Sequence, residues 1–144
     1  MEQTTQEPYD LAEARAVLSR TPGVLRAFFV GLPDAWLQAR EAPEAWTPLQ
    51  VLGHLVEAER GLWIGRARTI LEKGEQATFP AFDREGHIEL HRDKNADQLL
   101  TLFEEFRQKS LVELDSLELG PEALARKGSH PAFGTVTLSQ LLAT

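Results

Sequence analysis

The chain has 144 residues, 42% hydrophobic and 26% charged, the balance of an ordinary globular domain; a chain of this length buries roughly 68–70% of its unfolded surface, so one domain spanning residues 1–144 needs no staples. It contains no Cys, which excludes disulfides, zinc fingers and a cysteine nucleophile. Its net charge of −7 excludes the basic face that a nucleic-acid binder uses on phosphates, no apolar run approaches the roughly 18 residues of a membrane span, and the polar, acidic start MEQTTQEPYD is not a secretory signal, so the expected compartment is the cytoplasm.

The first helical region covers residues 9–32. Asp10 with Glu13 at N3 is an acidic variant of a capping box, and Leu11, Ala14, Val17 and Leu18 follow at helical spacing. Thr21-Pro22 predicts a break near Arg20, because Pro has no N–H to give and clashes inside a helix. A second segment then carries Val24, Leu25, Phe28, Phe29 and Leu32 until Gly31 and Pro33 stop it. Residues 33–45 read as a connector with a short turn at 34–40, anchored on the core by Trp36 and Leu37. The strongest local signal is Thr47-Pro48-Leu49-Gln50: an N-cap Thr, Pro at N1 and Gln at N3 agree on a helix over 48–72. Residues 73–92 read as a loop, long against the usual ~4–6 residues. A third helix is expected over 95–119, from Asn95 with Gln98 at N3 to the Gly120-Pro121 stop. Thr137-Leu138-Ser139-Gln140 announces a fourth helix, but the sequence ends at Thr144, two turns on, so that helix reads as cut short and the chain as lacking a C-terminal segment. No alternating run reaches five residues, so no strand is expected and the fold class is all-α.

Without Cys, a transition-metal site would have to draw on His54, His87, His91 and His130 with Asp or Glu. His54 lies on one narrow stripe of the 48–72 helix with Ala58, Gly61 and Gly65, at the edge of the apolar face. Two readings stand: a buried imidazole satisfied by its surroundings, or a ligand with room above it. His87 and His91 are spaced i, i+4, as in helical zinc motifs, but stand among Asp83, Arg84, Glu85, Glu89, Arg92 and Asp93 and read as a solvated turn or a short loop helix. His130 precedes Pro131, which favours extended backbone and loop packing or a capping role. Glu59 and Arg66 fall within the apolar arc of the same helix as His54, either in a partly buried polar contact with neighbouring helices or as flanking solvated charges. Glu104-Glu105 faces solvent, and the Glu-x-x-His signature of ferritin-like bundles is absent.

The segment from Trp46 to Glu59, WTPLQVLGHLVEAE, resembles the second-helix motif of the DinB-like family, and His130 to Ala143, HPAFGTVTLSQLLA, resembles the approach to that family's fourth helix. Thr21-Pro22 and Gly31-Leu32-Pro33 fit its first-helix region. The resemblance implies a four-helix bundle of up-down-down-up topology, here with the last helix cut short, and a homodimer. It implies a divalent metal, nickel or zinc, held by three His, one of them at the position of His54. The other two would come as His-x-x-x-His in the fourth helix, beyond Thr144 in this reading. The implied activity of the intact form is a metal-dependent thiol S-transferase or hydrolase acting on a thiol or other small molecule. The alternative reading is a metal-free bundle dimer that binds a small molecule or serves in a stress-related interaction.

Overall fold

A computed structural model describes residues 8–76 and 78–143. Three long helices form the frame: α1 (Leu11–Phe29), α3 (Pro48–Lys73) and α5 (Ala96–Ser116). Short elements connect them: α2 (Asp34–Leu37), a 3₁₀ turn at Gly74–Gln76, α4 (Gly86–Leu90) and α6 (Pro121–Leu124). A hairpin of β1 (Lys127–His130) and β2 (Gly134–Thr137) leads into α7 (Leu138–Leu142). α5 packs against both α1 and α3, and α7 lies on α3. The result is a mostly helical bundle.

The helix starts follow from local chemistry. Thr47, Asn95 and Thr137 each accept from the N3 backbone N–H while Gln50, Gln98 and Gln140 reach back to the cap N–H, so all three capping boxes close. Asp10 caps α1 by accepting from the N–H groups of Ala12 and Glu13.

The expected break at Thr21-Pro22 does not occur; α1 runs straight through Pro22. A proline inside a helix leaves the carbonyl four residues earlier without its N–H. That carbonyl belongs to Leu18, and the buried guanidinium of Arg107 on α5 donates to it at 2.7 Å. A residue 89 positions away thus offsets the local cost of Pro22.

Two apolar clusters lie along α3. Phe29, Leu52, Val56, Leu99, Leu100 and Phe103 form one; Ala67, Ile70, Phe79, Leu138 and Leu141 form the other. Between them α3 kinks at Gly61, whose backbone (φ 169°, ψ 7°) leaves the helical region. Leu37 packs on the first cluster as expected, but Trp36 is 67% exposed and anchors nothing.

Three further expectations are corrected. The fold is not wholly helical: β1 and β2 pair antiparallel, with Lys127 opposite Thr137 and His130 opposite Gly134. Four-residue strands fall below the length at which alternation shows in a sequence, and the turn is set by Gly134 at φ +70°. The 73–92 segment is not one loop; it holds the 3₁₀ turn and α4. Nor is the His87–His91 pair solvated, since both residues are buried. Of the fourth helix, α7 covers 138–142, and Thr144 lies outside the described residues.

Candidate functional site

His54 stands on the first half of α3, and three aromatic neighbours close around it. Trp46, just before the Thr47 cap, lies 5.0 Å away between ring centroids, Phe82 5.5 Å and His87 5.3 Å. Trp46 also meets His87 edge-on at 4.6 Å and donates from its Nε1 to Glu85 at 3.3 Å. The segment between α3 and α5 therefore folds back over the helix. Asp83 holds it there by accepting from the backbone N–H groups of Glu85 and Gly86 at the start of α4. His87 and His91, one turn apart on α4 and its cap, pack over the bare backbone of Gly53 at 3.6 and 3.5 Å from where a Cβ would stand.

The polar atoms of this cluster are unevenly served. His54 Nδ1 is buried and has no hydrogen-bond partner. His87 is 2% exposed, and neither ring nitrogen makes a properly directed hydrogen bond, although the Arg84 backbone lies close enough to favour its charged form. Burial nonetheless holds the His87 pKa below 6.5. Burial, followed by the charges of His87 and Arg84, does the same for His54. Both rings are thus neutral at pH 7, the form in which an imidazole can ligate a metal.

A second polar group lies one turn along. His91 Nε2 meets Glu57 Oε1 at 2.8 Å, and Arg60 donates to the same carboxylate at 3.1–3.2 Å. Burial pushes the Glu57 pKa up, but the hydrogen bonds from Arg60 and His91 outweigh it and bring the carboxyl below 4.5.

Glu59 and Arg66 make partly buried polar contacts with neighbouring elements, one of the two readings open in the sequence, each with its own partner. Glu59 is 3% exposed and binds Arg107: Nη2 donates to Oε2 at 2.8 Å, and Nε lies 2.8 Å from Oε1 at an angle too bent for a hydrogen bond. Trp63 Nε1 donates to the same carboxylate at 3.0 Å. Arg66 points instead to His130, with Nη1 and Nε2 3.0 Å apart. His130, expected in loop packing or a cap, is the last residue of β1, where its Nδ1 accepts from the turn N–H groups of Ala132 and Phe133. Glu104 and Glu105 are exposed.

His54, the residue at the implied ligand position, lies in this aromatic cluster, and a neutral imidazole nitrogen is a donor that fits a borderline divalent ion. Sequence reasoning missed His87 as its neighbour, because only the chain reversal between α3 and α5 brings them together. Among the described residues no three His, Asp or Glu side chains gather closely enough to hold an ion by themselves.

The comparisons with known proteins bear on the fold and the family. No curated protein matches the chain. A solved structure, YfiT from Bacillus subtilis, is superposable with a TM-score of 0.78 at 22% identity, over 98% of this chain and 82% of that one. It is described as a "probable metal-dependent hydrolase with an unusual four-helix bundle topology", and at that identity the likeness shows the fold alone. The model of the DinB superfamily matches residues 17–144, and the chain belongs to that superfamily.

Proposed function

We propose that this is a metal-dependent DinB-superfamily protein in which His54 ligates a divalent ion, nickel or zinc, and that it acts as a thiol S-transferase or a hydrolase. The observation that carries this reading is a His54 imidazole held neutral by burial, with its buried Nδ1 engaged by no hydrogen bond. The description of YfiT as metal-dependent supports it from the side of the fold. A bound divalent ion lowers the pKa of a water or thiol and so supplies a nucleophile near neutral pH. The chain's own part is to hold and shield. The capping box of α3 fixes the helix that carries His54, and Trp46 and Phe82 wall the ring and reduce its contact with water. Burial keeps the imidazole neutral and ready to ligate.

The same proposal includes a cytoplasmic homodimer. Val17, Val24 and Phe28 are 67%, 65% and 63% exposed. At about 100° per residue they fall on one stripe of α1, a face that a second copy would cover.

The test is the ion content of protein purified from its native gene without chelator, beside His54→Ala. About one nickel or zinc per chain, lost in the variant, supports the proposal. Equal content in both proteins overturns it. A second reading, a metal-free bundle that binds a small molecule, is favoured by the absence of a three-ligand cluster among the described residues and by an apolar cavity lined in part by α3.

A further inference from the structure

That cavity holds about 450 Å³ and opens between α1, α3, α5 and α7, within the range of small-molecule pockets. Its walls are mainly apolar, with Leu25, Leu55, Leu62 and Phe103 among them, and Trp63 lines it too. Four charged or titratable side chains reach it: Glu59, Arg107, Arg66 and His130. Glu59 and Arg107 satisfy each other as an ion pair. The other two do not.

The proton inventory shows why. His130 Nδ1 accepts from the backbone N–H groups of Ala132 at 3.0 Å and Phe133 at 3.2 Å, so it carries no proton. A neutral imidazole has one N–H, which must then be on Nε2. Turning the ring over would put a carbon where those two backbone N–H groups point. Arg66 Nη1 lies 3.0 Å from that Nε2, and a guanidinium has donors only. Two N–H groups therefore converge with no acceptor between them. Arg66 Nε is also buried without a partner, and the other neighbour of the guanidinium is the ring of Phe79, 5.3 Å from its centroid. Among the described residues no carboxylate or carbonyl accepts from Arg66. The cavity is left with one unmatched positive charge, a convergent set of unaccepted N–H groups and an apolar body. Buried donors without acceptors are costly, and an anionic oxygen pair removes that cost.

We propose that this cavity is a binding site for a monocarboxylate with an apolar tail, its carboxylate accepting from Arg66 and from His130 Nε2 and its tail lying along the leucines and Phe103. The site does not involve His54 and stands whether or not an ion binds there.

The experiment is calorimetric titration of the protein with decanoate, decanol and acetate below micellar concentration, followed in parallel by tryptophan emission, with Trp63→Phe to assign the signal. Decanoate is expected to bind saturably at one per chain and to change Trp63 emission. Decanol, with the tail and no charge, should bind at least about tenfold more weakly, as should acetate, with the charge and no tail. Arg66→Gln should weaken decanoate by about tenfold or more and leave decanol unchanged, the loss expected for one charged hydrogen bond. The probe comparison on the unaltered protein needs no variant to fold. Equal affinity for decanoate and decanol overturns the proposal, as does an Arg66→Gln variant, folded by circular dichroism, that keeps its decanoate affinity. So does the absence of any binding, including the case where light scattering shows a second copy covering the groove.

Discussion

Arg107 ties three parts of the molecule together. It donates to the Leu18 carbonyl that Pro22 leaves open, and it pairs with the buried carboxylate of Glu59, which also takes the indole N–H of Trp63. Removing one member of a buried pair strands the other, at about 3–5 kcal/mol. Arg107→Met should lower unfolding free energy by about that much in urea titrations, because it orphans both Glu59 and Leu18 O. The double variant Arg107→Met with Glu59→Leu should recover part of the loss, since the stranded charge is gone. A second prediction at this scale concerns pH. The folded pKa of Glu57 is lowered by Arg60 and His91 against the opposing effect of burial. A depressed carboxyl stabilises the fold above its unfolded value, near 4.5, and that contribution disappears as pH falls through the lower folded value. Glu57→Gln should therefore have a shallower fall of urea midpoint with pH below 4.5 than the parent protein. An unchanged slope contradicts the assignment.

The helix starts were legible because they depend on four consecutive residues. Thr47 to Gln50, Asn95 to Gln98 and Thr137 to Gln140 each close a capping box where the spacing announces it. What was not legible depends on partners distant in sequence. Pro22 breaks a helix by local rules and does not break this one, because Arg107 arrives from α5. Charged neighbours make His87 and His91 look solvated, yet the reversal at Asp83 folds them onto Gly53. The hairpin escaped because each strand has four residues. That hairpin carries a requirement of its own. A Cβ on Gly128 would stand 2.5 Å from Ile70 Cγ1 and 3.1 Å from Ile70 Cδ1, so β1 approaches α3 more closely than any side chain there permits. Gly128→Ala should destabilise by about 1–3 kcal/mol, the usual cost of overpacking. Adding Ile70→Val should restore part of that by removing Cδ1, read as a partial recovery of the thermal midpoint.

At the scale of the whole molecule, α3 is the common wall of two sites. Its first turns carry His54 beneath Trp46 and Phe82; farther along, Glu59, Trp63 and Arg66 line the apolar cavity. The proposal of His54 as a ligand comes from the family motif. Its buried imidazole neighbour was not legible in the sequence, and neither was the acceptor-poor pairing of Arg66 with His130, which joins residues 64 positions apart. The α1 stripe gives a prediction for assembly. Light scattering should report about twice 16.1 kDa for the parent protein. Val24→Glu with Phe28→Lys should return it to a monomer without loss of helical content, since both side chains are more than half exposed. A monomeric parent would contradict the homodimer.

The measurement that bears most directly on the ion at His54 is divalent metal content by mass spectrometry, on protein from its native gene purified without chelator, for the parent and for His54→Ala. The account predicts about one nickel or zinc per chain in the parent and none in the variant, with unchanged circular dichroism. A parent without metal, or a variant that keeps it, would contradict the account.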